Sequence, residues 1–374
     1  MAKSKAWVMV EPGKLEMEEF EIPAIPEDHA LLKVEACGIC GTDKHVYLGH
    51  APAAPFPFIT GHEFIGSIVE LGSKANDMMA VFGEPLKVGD RVSIAPSSMP
   101  CGHCYYCIHM PHRPALCSKR SVYGFTSIKT PPSIWGGYSE YVYLHPRTYA
   151  FQLPKEMPME RAILTEPIAT GLRGVERAYS PGEAFMSHGY GVGRSAMVLG
   201  AGPIGLMAIA SLRYSGAGLI IAQDPLDDKL HMAQQMGAEL LVDGKLPLEQ
   251  RLQQVREATD GVGPDIVIEA AGAPPAFQEA LDFVRRGGKL IEVGHFTDTG
   301  TINIHPFYIC QKDLDIHSSW AYPALIFKDA ISMEEKTQLP LEKAVTHVLP
   351  LEEFPKGLEL VGAEGVGKVV IAPK

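Results

Sequence analysis

Residues 196–205 read AMVLGAGPIG, a short apolar run that leads into glycines with the spacing GxGxxG. The run predicts a buried strand, and the apolar residues that follow predict a helix over 206–214. In this context Gly200 permits a tight turn, Gly202 admits a pyrophosphate close to the backbone, and Gly205 lets helix and strand pack closely. The stretch therefore predicts the first turn of a dinucleotide-binding sheet, with phosphates at the helix N-terminus.

The next apolar run, 219–223, ends at Asp224, nineteen residues after Gly205. A carboxylate near this spacing binds the adenosine ribose hydroxyls of NAD. Pro225 and Leu226 offer no positive charge for the 2′-phosphate of NADP, which would instead meet the Asp224 carboxylate. The pattern favours NAD over NADP.

Strand and helix patterns alternate from about residue 196 onward, which predicts a doubly wound parallel sheet of six strands in an α/β fold. The predicted helices after the first are 227–236, 248–259 and 275–286, and the predicted strands after 219–223 are 240–242, 265–269, 289–293 and 314–318. Residues 1–165 carry short β-type runs between Gly and Pro, typical of a β-rich domain. Segment 72–86 has weak periodicity, and we expect a surface loop there.

A second informative stretch, 37–63, reads CGICGTDKHVYLGHAPAAPFPFITGHE. It combines the thiolate, imidazole and carboxylate ligands that zinc takes. We interpret Cys40 and His62 as ligands of a catalytic zinc, with Thr42 and His45 available to move a proton. The alternative is that the cysteines are small core residues and that His62 is a hydrogen-bonded loop histidine.

A third stretch, 101–107, reads CGHCYYC and is followed by Cys117. Four thiolates from one loop leave no open coordination position, which predicts a structural zinc bound by Cys101, Cys104, Cys107 and Cys117. Nearby histidines are alternatives for the fourth ligand, and free surface thiols are the alternative to a metal site. These histidines are His103, His109 and His112.

Segment 160–175, ERAILTEPIATGLRGV, predicts a helix, a break at Pro167 and a second helix. Glu166 stands among apolar neighbours, where an acidic side chain is costly unless it is paired or coordinated. A zinc ion would supply that partner.

The bulk composition limits the possible functions. With 374 residues the chain can form two domains, and its net charge of −11 argues against nucleic acid as a partner. The longest uncharged run, 195–212, is interrupted by glycines and a proline, so we expect no membrane span. We see no apolar signal core near the first residues and expect a cytoplasmic protein.

The order of these motifs resembles the zinc-dependent medium-chain dehydrogenases, especially the polyol and threonine dehydrogenase branch. The matching motifs are CGICGTD at 37–43, GHE at 61–63, VGDRV at 88–92, the cysteine loop, GGYSEYV at 136–142, EPIA at 166–169 and GAGPIG at 200–205. The resemblance implies a GroES-like catalytic domain over 1–166 and 321–374, a Rossmann domain over 167–320, and an active site in the cleft between them.

The resemblance also implies ligand and cofactor roles. It places Cys40, His62 and Glu166 at the catalytic zinc, with Glu63 either as an alternating ligand or as a residue that contacts the ligands without binding the metal. The glutamate at 166, where alcohol dehydrogenases proper carry cysteine, indicates polyol-like relatives. Cofactor contacts are expected from Thr170, Gly200, Gly202, Pro203, Ile204, Gly205, Asp224 and Val293.

The resulting hypothesis is an enzyme with two zinc ions that moves a hydride between a secondary alcohol and NAD, as a homodimer or homotetramer. Zinc would acidify the alcohol, and Thr42 would pass its proton through the cofactor ribose to His45. The alternatives are a zinc-free reductase of the same superfamily and a non-catalytic NAD or metal sensor. Pocket candidates are Val46, Phe125, Trp135, Trp320 and Tyr322.

Three features depart from the family pattern. The gap before Cys117 is nine residues rather than the usual seven. The segments 72–86 and 180–193 are longer than usual, and each could cover the cleft or form a subunit contact.

Overall fold

The computed structural model describes residues 3–51, 53–97, 99–179 and 193–374. The chain forms two compact units. The first unit comprises Met1–Glu166, Tyr322–Glu335 and Val345–Lys374, and the second comprises Pro167–Ala321 and Lys336–Ala344. The domain boundaries expected from the sequence differ from this division mainly at 336–344, which cluster with the second unit. Nearly all of the long segment 180–193 lies outside the described residues.

The strands change in type along the chain, short and mostly antiparallel in the first unit and parallel in the second. They are β1 (Lys3–Glu11), β2 (Lys14–Glu21), β3 (Ala30–Gly38), β4 (Phe58–Ile59), β5 (Glu63–Leu71), β6 (Ala80–Phe82), β7 (Arg91–Ile94), β8 (Tyr141–Leu144), β9 (Tyr149–Gln152), β10 (Ser195–Leu199), β11 (Leu219–Asp224), β12 (Leu240–Asp243), β13 (Ile266–Glu269), β14 (Lys289–Glu292), β15 (Asp315–Ser318), β16 (Val345–Leu349) and β17 (Lys368–Ile371).

Most of the longer helices lie in the second unit, between its strands. The α-helices are α1 (Gly41–Tyr47), α2 (Ala75–Met78), α3 (Tyr105–His109), α4 (Met159–Ala162), α5 (Thr165–Ala178), α6 (Pro203–Tyr214), α7 (Asp227–Gln235), α8 (Leu248–Glu257), α9 (Pro274–Phe283), α10 (Pro306–Lys312), α11 (Ile326–Lys336) and α12 (Phe354–Leu360). Short 3-10 turns cover Pro114–Leu116, Leu341–Ala344 and Leu351–Glu353. Within the described ranges, every helix is too short or too polar to cross a membrane.

The second unit is built on a six-stranded parallel sheet with the order β12-β11-β10-β13-β14-β15. Its inner strands are almost continuously apolar and buried, as expected when helices cover both faces of a parallel sheet. The strand order reverses between β10 and β13, which makes their carboxyl ends the topological switch point where ligands bind. The expected α/β fold with a doubly wound sheet is confirmed.

The first unit is β-rich. An eight-stranded sheet, ordered β16-β17-β3-β5-β7-β9-β6 with β8 also on β3, stands beside a three-stranded sheet ordered β2-β1-β4. Strand β3 is the centre of the larger sheet, since it pairs with β5, β8 and β17. The last strand of the chain therefore closes the same core as strands near its beginning, and the expected β-rich domain is confirmed.

Two local predictions were wrong. Segment 72–86 is not simply a loop, because it contains α2 and β6, and β6 pairs with β9. The helix break in 160–175 falls at 163–164, between α4 and α5, and not at Pro167. Pro167 lies in the first turn of α5, where a helix has no partner for its backbone N–H groups, so a proline costs little there.

Candidate active site

Cys40 stands at the junction of β3 and α1. It is the N-cap residue of α1, and its backbone N–H donates to Asp43 Oδ2 over 3.0 Å. This bond from the first turn of the helix fixes where the Cys40 side chain leaves the backbone. The Thr42 hydroxyl lies 3.5 Å from Cys40 Sγ, so thiol and hydroxyl are presented side by side.

His62 and Glu63 enter the site at the start of β5. Gly61 has φ +91° and packs so closely that a Cβ there would lie 2.8 Å from Cys37 Sγ, which only glycine avoids. This tight approach holds His62 and Glu63 against the end of β3, where Glu63 pairs with Gly38. Ligand atoms of Cys40, His62 and Glu63 lie within 4.8 Å of one another.

The surroundings of His62 are those of a cation site. Burial opposes protonation of His62, but hydrogen bonding and charge from Cys40, with the charges of Asp43 and Glu166, raise its pKa to about 10. Two polar atoms here lack hydrogen bonds among the described residues: His62 Nδ1 and Asp43 Oδ1, which lie 3.9 Å apart. An imidazole held by a carboxylate through one nitrogen presents the other as a metal ligand, so these residues fit zinc.

Glu63 is held by a buried lysine from the far end of the chain. Lys368 Nζ donates to both carboxylate oxygens of Glu63, over 2.7 and 2.5 Å, and both side chains are almost fully buried. Burial opposes charging of Lys368, but the negative charges of Glu63, Cys40 and Glu166 raise its pKa. The lysine therefore fixes the position of the Glu63 side chain beside the candidate ligands.

Glu166 lies in the first turn of α5 and is buried. Its Oε1 accepts a hydrogen bond of 2.5 Å from the Tyr322 hydroxyl. Burial, followed by the charge of Glu63, raises the pKa of Glu166. Glu166 thus shares the charge environment of His62 and Glu63, but it is outside the group whose ligand atoms lie within 4.8 Å.

The cysteine loop brings four sulfur atoms together. Ligand atoms of Cys101, Cys104, Cys107 and Cys117 lie within 4.8 Å of one another, with Cys104 at the start of α3 and Cys117 after a 3-10 turn. The backbone N–H of His103 lowers the pKa of Cys101, with burial opposing, to about 6. A closed set of four thiolates fits a structural zinc.

The neighbouring histidines have other contacts. His103 Nδ1 lies 2.8 Å from the carbonyl oxygen of Cys101, and the His109 ring packs on Tyr105 at 4.5 Å. Cys117 is buried, and its Sγ accepts a hydrogen bond from the backbone N–H of Cys101. The nine-residue gap therefore does not keep Cys117 away from the cluster.

The turn after β10 has the close packing that the glycines predict. Gly200 has φ +89°, and a Cβ on Gly205 would lie 1.8 Å from the carbonyl oxygen of Gly200. A Cβ added to Gly202 would meet no other part of the protein within 4 Å, so the backbone of Gly202 is open to a ligand. Pro203 and Ile204 form the first turn of α6, and the N-terminus of that helix supports a phosphate.

Asp224 ends β11 beside this turn. Its Oδ2 accepts a hydrogen bond of 2.8 Å from the backbone N–H of Ala201, and its Oδ1 accepts one of 2.9 Å from that of Leu226. Burial raises the pKa of Asp224, while these two donors oppose the shift. The carboxylate is thus held at the edge of the glycine turn, as a ribose-binding group requires.

The other expected cofactor residues lie on α5 and after β14. Val293 donates its backbone N–H to the carbonyl oxygen of Glu269 over 3.0 Å. A Cβ on Gly174 would lie 3.3 Å from Val293 Cγ2, so α5 passes close to this strand end. Thr170 is one helical turn before Gly174 and lies on the same face of α5.

The pocket candidates separate into two groups. The Phe125 ring lies 5.6 Å from that of His62, and Tyr322 binds Glu166, so both adjoin the candidate ligands. Val46 is buried with Met9 and Phe58 in a small apolar cluster. The remaining two make other contacts: Trp135 donates to the carbonyl oxygen of Thr130, and Trp320 stacks on Phe296.

Sequence reasoning missed Asp43, Tyr138 and Lys368. Asp43 is fully buried and accepts a 2.6 Å hydrogen bond from the Tyr138 hydroxyl. A charged residue at the start of the apolar run KVVI was a usable signal for Lys368, because a buried lysine needs a partner. Nothing in the local sequence identifies Glu63, 305 residues away, as that partner.

Two family models match the chain. Residues 26–155 match the alcohol dehydrogenase GroES-like domain, and residues 203–335 match the zinc-binding dehydrogenase model. The erythritol/L-threitol dehydrogenase of Mycolicibacterium smegmatis is 31% identical over 382 residues, which cover 99% of this chain and 98% of that protein.

Solved structures show the same relationship. An alcohol dehydrogenase from Thermotoga maritima superposes with a TM-score of 0.89 at 29% identity, covering 100% of both chains. A zinc-binding dehydrogenase from Sinorhizobium meliloti bound to NADP has a TM-score of 0.81 at 27% identity, covering 100% of both chains. An alcohol dehydrogenase from Escherichia coli complexed with NADH has a TM-score of 0.81 at 26% identity, with the same coverage.

The chain therefore belongs to the zinc-type alcohol dehydrogenase family of medium-chain dehydrogenases. It is an oxidoreductase that acts on alcohols with zinc and a nicotinamide cofactor.

Proposed function

We propose that the protein oxidises a secondary alcohol of the polyol, diol or amino alcohol class and transfers the hydride to NAD. The observation that carries this proposal is the cluster of Cys40, His62 and Glu63 beside buried Glu166, in a chain that also has the glycine turn. The names of similar proteins support the substrate class, since they include an erythritol/L-threitol dehydrogenase and an L-threonine 3-dehydrogenase.

Cys40, His62 and Glu166 are proposed to hold the catalytic zinc, with Glu63 as the alternating ligand. When bound, zinc supplies Lewis acidity that lowers the pKa of a coordinated hydroxyl. Glu63 is fixed by Lys368, whereas Glu166 is held by one hydrogen bond from Tyr322. Glu166 is therefore the carboxylate that we expect to exchange more readily.

Thr42 and His45 are proposed to move the substrate proton. Thr42 Oγ1 lies beside Cys40 Sγ and would accept the substrate proton as its own hydroxyl proton passes through the cofactor ribose to His45, one turn further along α1. Burial lowers the pKa of His45, which keeps its imidazole neutral and able to accept a proton. His45 Nδ1 lies 3.0 Å from Nδ1 of exposed His50, which extends the path to solvent.

Zinc content measured beside NAD reduction tests the proposal. We expect two zinc ions per chain, one for each candidate site, and NAD-linked turnover with at least one member of a panel of polyols, diols and amino alcohols. Cys40→Ser should remove one zinc ion and abolish turnover while nucleotide binding remains. The matched control is Cys310→Ser, an exposed cysteine outside both clusters. Full activity in Cys40→Ser would exclude the metal assignment.

A preference for NAD over NADP is proposed from Asp224. Both oxygens of its carboxylate are fixed by backbone N–H groups, so the negative charge cannot turn away from a 2′-phosphate. We expect kcat/KM with NAD to exceed that with NADP, and Asp224→Asn to narrow the difference. Equal or better use of NADP by the unmodified protein would contradict this preference.

A homodimer or homotetramer in the cytoplasm is also proposed. Strand β15 is the outer strand of the six-stranded sheet as described, and apolar side chains near it are exposed. These include Phe307, Tyr308, Ile316 and Trp320. Light scattering of the purified protein measures whether the chain forms a dimer or a tetramer. Reduced cysteines at two metal clusters suit a reducing compartment.

A further inference from the structure

A third cluster of ionisable side chains lies in the second unit, whereas both candidate zinc sites belong to the first. Glu269 ends β13, Glu292 ends β14, and His295 follows shortly after. His295 Nδ1 lies 3.3 Å from Glu269 Oε2 and 3.0 Å from Glu292 Oε1. None of the roles proposed above uses these three residues.

Each carboxyl group has one oxygen that makes no hydrogen bond among the described residues, although His295 Nδ1 faces both groups. Glu269 is fully buried, and its Oε1 accepts hydrogen bonds from the backbone N–H groups of Ala271 and Gly272. Glu269 Oε2 and Glu292 Oε2 are also buried, yet neither has a hydrogen-bond partner among the described residues. Two adjacent buried carboxylates repel each other, and one shared proton satisfies both oxygens.

Burial, followed by the negative charge of Glu292, raises the pKa of Glu269 to about 8. This agrees with a carboxyl pair that keeps one proton and one negative charge at neutral pH. Burial thus favours the protonated form of Glu269, the more buried member of the pair.

The position of the pair relates it to the cofactor. In a doubly wound sheet each half binds one mononucleotide at the carboxyl ends of its strands. The glycine turn and Asp224 belong to the half formed by β10, β11 and β12. Strands β13 and β14 lie beyond the switch point, so Glu269 and Glu292 end strands of the half that takes the nicotinamide mononucleotide.

We propose that Glu292, paired with Glu269, sets the redox preference of the nicotinamide site by placing one negative charge at that end of the sheet. The oxidised nicotinamide ring is cationic and the reduced ring is neutral, so the charge stabilises bound NAD+ and not bound NADH. This inference rests on the proposed use of NAD and deepens it, because a site that favours NAD+ binding suits alcohol oxidation.

The test compares dissociation constants of NAD+ and NADH, measured by calorimetry on the full chain. Glu269→Gln mimics the protonated acid and leaves the charge on Glu292, so the ratio of the two constants should stay close to that of the unmodified protein. Glu269→Gln with Glu292→Gln removes the charge. We expect NAD+ binding to weaken about three- to tenfold in this double variant, with NADH binding nearly unchanged.

Asp243→Asn is the matched control. Asp243 ends β12, four strands from β14 and so roughly 19 Å away at about 4.8 Å per strand. Removing its charge should leave the ratio unchanged, and a similar shift there would overturn the inference. Glu269→Gln with Glu292→Asp restores the charge and should restore the original ratio.

The remaining outcomes are also decisive. An unchanged ratio in the double variant, or equal weakening of both cofactor forms, overturns the inference while leaving the proposed function intact. Binding of neither form by the unmodified protein overturns both. A third zinc equivalent that the double variant loses would show that a metal ion joins the carboxyl groups, and it would overturn the assignment of charge.

Discussion

At the scale of single residues, Asp43 connects the fold to the candidate metal site. Its Oδ2 accepts hydrogen bonds from the Tyr138 hydroxyl and the Cys40 backbone, so the carboxylate cannot move freely. Its Oδ1 has no donor among the described residues and faces His62 Nδ1. A ligand histidine is oriented by such a partner, and a small closure would complete the hydrogen bond.

We therefore expect Asp43→Asn to weaken the catalytic zinc about 10- to 100-fold, because the neutral amide polarises His62 less. Competition with a chromophoric chelator measures this loss. The four-cysteine zinc in the same molecules is an internal reference whose affinity should not change. Asp77→Asn, which removes an exposed carboxylate from α2, is the matched control. Unchanged affinity in Asp43→Asn would show that the carboxylate does not orient His62.

Residues differ in how far the sequence reveals them. Cys40 and the cysteine loop were recognisable because thiols at short spacing, with histidine and carboxylate nearby, are typical of zinc ligands. The Glu63–Lys368 pair was not, since it depends on β17 joining the same sheet as β5 through β3. An ion pair that forms only in the tertiary structure leaves no characteristic residue spacing in the sequence.

At the scale of elements, the turn between β10 and α6 separates two roles of glycine. Gly205→Ala would drive a Cβ into the carbonyl oxygen of Gly200, a backbone atom that cannot move aside cheaply. We expect a lower melting midpoint, since such overpacking costs on the order of 1–3 kcal/mol, and impaired nucleotide binding. Gly202→Ala meets no atom within 4 Å, so its melting midpoint should be unchanged while NADH affinity falls about tenfold.

Thermal melting and NADH fluorescence titration on both variants distinguish these roles. Midpoints are compared rather than free energies, because a chain of two units need not unfold in one step. Full NADH affinity in Gly202→Ala would mean that the pyrophosphate does not approach this backbone. An unchanged midpoint in Gly205→Ala would contradict the packing argument.

Elements were also unequally predictable. The strands of the parallel sheet were evident because short apolar runs between glycine turns are typical of strands buried on both faces. Within 72–86, the sequence pattern did not predict the short α2 and β6. Strand β6 has only three residues and is stabilised by its pairing with β9. The helix break predicted at Pro167 was wrong because proline breaks a helix interior but is tolerated in the first turn of a helix.

At the scale of the whole molecule, the first unit depends on distant segments of the chain. Strand β17 completes the large sheet, and Trp7 Nε1 donates to the carbonyl oxygen of Leu351 over 2.7 Å. Lys368 on β17 also holds Glu63. The last strand therefore supplies both part of the core and the charge that fixes one candidate ligand. Substitutions in β17 should therefore affect folding and metal binding together.

The stability of the whole chain should carry a pH dependence from Glu269. In the folded protein its pKa is raised to about 8, mainly by burial, whereas an unfolded glutamate ionises near its ordinary value of 4.5. Between these values the folded state keeps a proton that the unfolded state has lost, so stability falls as pH rises through this window.

Glu269→Gln cannot ionise and still offers an acceptor to the backbone N–H groups of Ala271 and Gly272. We subtract the melting midpoint of the unmodified protein from that of Glu269→Gln. We expect this difference to rise from pH 5 to pH 8 and to stay constant above pH 8. Subtracting the two curves cancels the titrating groups that do not interact with Glu269, which both proteins share. A constant gap across this range would mean that Glu269 is already ionised in the folded protein, and the shared proton with Glu292 would then have to be abandoned.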